Sequence, residues 1–165
     1  MPVLDGAAGE AARTAAERVQ DTLSGLYDMA FADPRAWQPA IPAGVWEAFA
    51  PAVRPQARRD SATFTLSAVP AALRELHVTD ASLAVQVLLG PSGRAEAALA
   101  RVGFVAVGDL LTGQALQVRN SALLMLRPIA GRWLIVGYPV AESELGPAPR
   151  VHPHGVLASR SEDEP

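Results

Sequence analysis

The stretch Ser121-Ala-Leu-Leu-Met-Leu-Arg-Pro-Ile-Ala-Gly-Arg-Trp-Leu-Ile-Val-Gly-Tyr-Pro-Val140 decides the fold. Ala122, Leu124 and Leu126 recur every second residue, the period of a strand with one buried face. Ala130-Gly131 is a turn signal, with glycine available for a backbone that other residues resist. From Arg132 to Val140 the chain is apolar on both alternation phases, which predicts a buried central strand. The segment therefore reads as a long antiparallel hairpin.

Working back towards the N-terminus, the third strand extends to 114–127, with Leu116, Val118, Ala122, Leu124 and Leu126 on one face. Thr112-Gly113 is the turn before it. A second strand spans 94–109, and Gly103 in its middle predicts a bulge. Gly90-Pro91-Ser92-Gly93 is the preceding turn. Between Leu76 and Leu89, Val78 belongs to one alternation phase and Leu83, Val85, Val87 and Leu89 to the other. That switch predicts a bulge or bend near Thr79-Asp80.

The N-terminal third is helical in period. Ala12, Ala16, Val19, Leu23, Leu26 and Ala30 form one stripe between Ala7 and Ala32, with Arg13, Glu17, Asp21, Ser24 and Asp28 on the opposite face. Gly25 costs about 1 kcal/mol in such a helix. Asp33-Pro34 ends it and looks like the start of another short helix. Prolines at 39, 42, 51 and 55 limit the next segment to short helices near 43–50 and 52–59. Residues 62–69 alternate and predict a short strand or arm that stops at Pro70. Beyond Ala141 the chain is rich in Pro, Glu and Ser, so 142–165 reads as a mobile acidic tail after one domain, 1–141. The expected fold is α+β: N-terminal helices packed on a strongly curved antiparallel sheet with bulges.

Composition narrows the chemistry. The 165 residues include no cysteine, and all fourteen basic residues are arginine. Disulfides, thiolate nucleophiles, Cys-ligated metals, Schiff bases and a Walker-type lysine are thereby excluded. The net charge of −3 sits entirely in 142–165; the preceding residues balance twelve acids against twelve arginines. There is no basic stripe for nucleic acid, and Arg54, Arg58 and Arg59 beside Asp60 read as a solvated helix end. No segment reaches the ~20 apolar residues of a membrane span. Met1 to Glu10 lacks both the basic residues and the apolar run of a signal peptide. The chain as given is expected to be soluble, without cofactor or metal.

The closing hairpin, with its long apolar strand, short turn, Gly131-Arg132-Trp133 and an apolar strand reaching Tyr138, resembles the nuclear-transport-factor-two-like (cystatin-like) superfamily. Within it the chain is most similar to actinobacterial mammalian-cell-entry-associated envelope domains, over about residues 10–141. The resemblance implies a cone-shaped sheet wrapped around helices, and an envelope setting, since those relatives often carry an N-terminal anchor. Enzymatic relatives, such as ketosteroid isomerase and the polyketide cyclases, work inside the cone with an ionisable base and an oxyanion donor.

Asp28, Asp33, His77, Asp80, Glu96 and Asp109 are the candidates for such a base, and each also reads as a cap, turn or exposed strand residue. No Gly-x-Ser-x-Gly elbow accompanies His77, and His152-Pro-His154 has no carboxylate neighbour to complete a metal site. Tyr27, Phe31, Trp46, Phe49, Phe104 and Tyr138 could line a cone pocket or fill a core. Leu99, Val105, Val107, Leu123 and Met125 lie on phases opposite the core phases of their strands, so their apolar character predicts an interface. The favoured expectation is a non-enzymatic binding or assembly module, as a homodimer or with a protein partner through that sheet face. The alternative is a binder of a small apolar ligand, or an isomerase- or cyclase-like protein, using the cone.

Overall fold

A computed structural model describes residues 6–34, 41–69 and 72–148. The fold is α+β: a long N-terminal helix, three short helices and a four-stranded antiparallel sheet that is not closed. Helix α1 runs Gly6–Tyr27 and continues through a π-helical turn, Asp28–Ala32, closed by Asp33 N–H donating to the Asp28 carbonyl at 2.7 Å. The wide turn has a local cause. Pro34 disfavours helical backbone at Asp33, which is extended (φ −70°, ψ 121°), so the helix must end there.

Three short helices come next: α2 (Gly44–Glu47), α3 (Arg54–Arg59) and α4 (Ser61–Phe64). Residues 61–64 are thus helical, although their alternation favours a strand over 62–69. Thr65 Oγ1 donates back to the Ser61 carbonyl (2.7 Å) and accepts from Ser67 N–H (3.2 Å), a local hydrogen-bonding option that competes with a ladder.

The sheet is a plain meander, β1 (Leu73–Leu89), β2 (Ala95–Leu110), β3 (Ala115–Ile129) and β4 (Arg132–Pro147), in the order β1-β2-β3-β4. Ile129 pairs with Arg132 across a two-residue turn whose residues both have positive φ, Ala130 at 48° and Gly131 at 78°. That is the backbone twist a tight hairpin needs. The expected phase switch in β1 is a register shift between Val78 and Asp80. Gly103, by contrast, makes no bulge: it pairs in register with Ser82 and Ser121. Its missing side chain accommodates a neighbour instead, since a Cβ there would lie 2.7 Å from Ser82 Oγ.

One sheet face carries the core. Even-numbered residues of β2 and β3, from Ala98 to Leu110 and from Leu116 to Leu126, are buried against Val19, Leu23, Leu26, Ala30 and Phe31. Two expectations about β4 need correction. It is an edge strand of the four-stranded ladder, not a central one. Its first half is nevertheless enclosed, because the backbone of Ala48–Ala50 runs beside it. Ala50 N–H donates to the Ile135 carbonyl (2.8 Å) and Ile135 N–H to the Ala48 carbonyl (2.9 Å). That cover explains why Trp133, Leu134 and Ile135 are all buried.

The second correction concerns the boundary at 141. Residues 142–147 continue β4 and pair with β3, Glu142 with Ser121 through Pro147 with Leu116. Prolines and carboxylates at a strand end are compatible with an edge, where one side of the backbone needs no partner. The remainder of the expected tail beyond Ala148, with His152 and His154, lies outside the described residues, as does the segment 35–40 after Pro34. Truncation before Glu142 should lower the melting temperature by at least about 4 °C, because a kilocalorie of lost pairing shifts a chain of this size by a few degrees. Thermal unfolding of the truncated chain measures it.

Candidate functional site

The space between helices and sheet, the place for a cone pocket, is occupied by two groups of rings. Tyr27, Phe31 and Phe104 form one, with centroids 5.1–5.8 Å apart. Trp46, Phe49, Phe64 and Tyr138 form the other: Phe49 meets Phe64 edge-on at 5.1 Å, and Phe64 meets Tyr138 at 4.8 Å. All six candidate pocket residues take part in these ring contacts, joined by Phe64, whose surroundings in sequence read as a strand. Such ring contacts stabilise by about 0.5–1.5 kcal/mol each beyond area burial.

Asn120 sits between the two groups. It lies on the inward phase of β3 and is 4% exposed. Its Oδ1 accepts from the Tyr27 hydroxyl (2.5 Å), and its Nδ2 donates to the carbonyls of Thr63 (2.7 Å) and Glu142 (3.1 Å). One amide thus ties α1, α4 and β4 together, and both of its N–H donors are used. The sequence held its signal: Leu116, Val118, Ala122, Leu124 and Leu126 share a face on which position 120 is the one polar member. Burial pushes the Tyr27 phenol well above its ordinary value.

A second polar chain closes the other end. Tyr138 Oη donates to Asp60 Oδ2 (2.8 Å), Gln56 Nε2 donates to the same oxygen (2.8 Å), and Arg59 Nη2 donates to Gln56 Oε1 (2.6 Å). The bonds from Gln56 and then Tyr138 hold the Asp60 carboxyl below the usual carboxylate range. Burial, and after it the bond to Asp60, pushes the Tyr138 phenol up to about 12.

The candidate bases lie elsewhere. Asp28, His77, Asp80 and Glu96 are exposed, and Asp33 and Asp109 half-buried; Asp80 borders a depression that Phe104 and Asn120 also line. Asp109 meets Arg74 at 3.4 Å and His77 meets Glu75 at 3.4 Å, both at the surface. Among the described residues no cluster of metal-ligating side chains occurs. On this side a cleft of about 180 Å³ is lined by Gln20, Ser24 and Tyr27 of α1 with Ala81–Leu83 and Val102–Phe104.

The opposite sheet face is differently built. Leu99, Val105, Val107 and Leu123 are half-buried there, and Met125 is 45% exposed. Register places Leu99 beside Met125, Arg101 beside Leu123 and Leu123 beside Val140, which is itself 49% exposed. Next to this apolar group lies an open groove of about 840 Å³ with Arg94, Arg127, Met125 and Ile129 on its walls. Further along the sheet lies a depression of about 270 Å³ bordered by Asp80, Arg119, Glu142 and Glu144, with Phe104 and Asn120 also on its lining. Charges of both signs stand at each end, since Glu96 shares the groove with Arg94 and Arg127, and Arg119 stands among the carboxylates. No family model matches the chain, and no curated protein and no solved structure matches it either.

Asn120→Ala would take this partner from the Thr63 and Glu142 carbonyls and from the half-buried Tyr27 hydroxyl, and should cost about 3 kcal/mol. Tyr27→Phe combined with it should cost clearly less than the sum of the single changes, as denaturant unfolding of the four species would reveal.

For Tyr138, the folded phenol titrates above the unfolded one, whose value is 10.0. Its stabilisation is complete below pH 10 and lost as pH rises towards about 12. Tyr138→Phe should therefore flatten that part of the stability–pH curve, measured by denaturant midpoints across the window.

Proposed function

We propose that this domain is a non-enzymatic binding and assembly module whose working surface is the sheet face turned away from the helices. We further propose that it belongs to the nuclear-transport-factor-two-like superfamily, near the mammalian-cell-entry-associated envelope domains. The order of a long first helix, short helices and a bulged meander closed by the Gly131-Arg132-Trp133 hairpin supports that placement. A cone-like, cystatin-like curvature of the sheet is part of the same proposal.

The observation that carries the functional reading is the filled interior. Enzymatic members of the superfamily need an ionisable base facing an apolar cavity; here rings occupy that volume, and its buried amide, Asn120, is committed to three structural bonds. The competing reading, a small apolar ligand in the cone, would use the 180 Å³ cleft beside Tyr27 and Phe104. Ligand pockets are usually about 300–1,000 Å³. The outer face offers more: an exposed apolar group around Leu123 and Met125, flanked by charge of both signs, as protein interfaces with an apolar centre and polar rim are. A protein partner on this face, or a second copy of the chain, fits that chemistry. Among the described residues no helix is long and apolar enough to cross a membrane, so an envelope setting would have to come through such a partner or an anchor elsewhere.

Leu123→Glu with Met125→Glu should leave the melting temperature within about 2 °C, since surface changes are usually small, while abolishing chemical cross-linking to whichever protein the wild type captures. Equal capture by both proteins would reject the outer face as the working surface. Outright unfolding of the double variant would place both residues in the core.

A further inference from the structure

A four-stranded meander has two outer edges, and among the described residues every stretch of them but one carries a device against pairing with another strand. The first half of β4 is covered by Ala48–Ala50. Its second half carries Glu142 and Glu144, whose charges oppose a second such edge. The first half of β1 has register shifts at Leu73/Glu75 and Val78/Asp80, and carries Arg74, Glu75, His77 and Asp80. The exception is the second half of β1, Ala81-Ser-Leu-Ala-Val-Gln-Val-Leu-Leu89: nine residues with no charge and no proline, in unbroken register with β2 from Ala81 to Leu88 and shifted only at the last step, between Leu88 and Leu89.

This stretch is also uncovered. His77 to Ala84 are exposed at eight consecutive positions, with α1 facing Ala81–Leu83 only across the 180 Å³ cleft, and Leu83 and Leu88 remain 37% and 46% exposed. Ala81, Leu83, Val85 and Val87 pair with Phe104, Val102, Ala100 and Ala98, which places them on the core side of the sheet. They form an inward apolar row that the chain's own helices only partly reach. A long, flat, uncharged edge of this kind is a template for another strand.

We infer that Ala81–Leu89 is a self-pairing edge, through which two copies of this chain join their sheets antiparallel about a twofold axis at Val85. The occupant is a second copy because the stretch is complementary to itself. About that axis Val85 meets Val85, Leu83 meets the second copy's Val87, and Ala81 meets its Leu89. Residues directly opposite in an antiparallel pair share a face, so the two inward rows merge into one apolar strip on the helix side. Asp80, the nearest charge on β1, falls opposite the second copy's Gly90, and no like charges meet within the paired stretch. The interface is isologous, as a closed dimer requires, and it leaves the outer face around Leu123 and Met125 free.

Because the chain has no cysteine, single-cysteine variants report the contact directly. Wild type should sediment at twice the monomer mass at about 100 µM, with a dissociation constant well below that concentration. Under mild oxidation Val85→Cys should run as a covalent dimer on a non-reducing gel, and Met125→Cys should stay monomeric. Val85→Glu, which sets two carboxylates opposite each other, should halve the sedimenting mass while keeping the far-ultraviolet circular dichroism of the wild type. The Leu123→Glu, Met125→Glu variant should remain dimeric, so that loss of the outer-face partner and loss of the edge contact are separately visible. A monomeric wild type, or a dimer trapped by Met125→Cys and not by Val85→Cys, would overturn the inference.

Discussion

The three hydrogen bonds of Asn120 are the constraint on which the arrangement of layers depends. A buried amide without partners costs several kilocalories per mole, so burying Asn120 is tolerable only when Tyr27, the Thr63 carbonyl and the Glu142 carbonyl are all in place. Those partners belong to the end of the first helix, the last short helix and the final strand. The apolar rings on either side can pack in many ways; the amide selects one. Hydrophobic burial makes the domain compact, and this polar contact gives the helices a register on the sheet.

The same contact bears on function. Tyr27, whose hydroxyl would be a natural donor in a reactive pocket, spends it on Asn120, and its ring stacks on Phe31 at 5.5 Å. Tyr138 is similarly engaged by Asp60. Both tyrosines and the buried amide are held by structural partners, and the proposed function accordingly uses the outside of the molecule: the outer sheet face, with apolar and charged groups side by side, and the second half of the first strand.

Much of this is legible in the residue pattern. The helix stripe, the hairpin at Ala130-Gly131, the bulge near Asp80 and the opposite phase of Leu99, Val105, Val107, Leu123 and Met125 are all local periodicities, and local periodicity is what a sequence displays most clearly. Readings that depend on distant neighbours fare differently. The doubly apolar Trp133–Ile135 run suggests a central strand, because nothing near it in sequence announces that Ala48–Ala50 will cover an edge. Glu142–Pro147 looks like a tail because its composition is that of a loop, whereas its pairing partners lie on the preceding strand, from Ser121 back to Leu116. Gly103 suggests a bulge, when its role is to make room for Ser82 of another strand. As for the candidate site, the six aromatics stand out in the sequence, but their role turns on whether Phe64 and Asn120 join them. Only Asn120 leaves a trace, as a lone polar residue on an apolar face.

The central claim, that Asn120 is a buried amide held by three structural hydrogen bonds, is tested most directly by hydrogen exchange of the Asn120 side-chain amide protons in nuclear magnetic resonance. Both protons are donated to backbone carbonyls by a side chain that is itself buried, so the account predicts exchange slowed to the rate of global unfolding, together with the most protected backbone amides of β3. Exchange at the rate of a solvent-exposed asparagine in the fully folded protein would mean a wet, open cavity, and would contradict it.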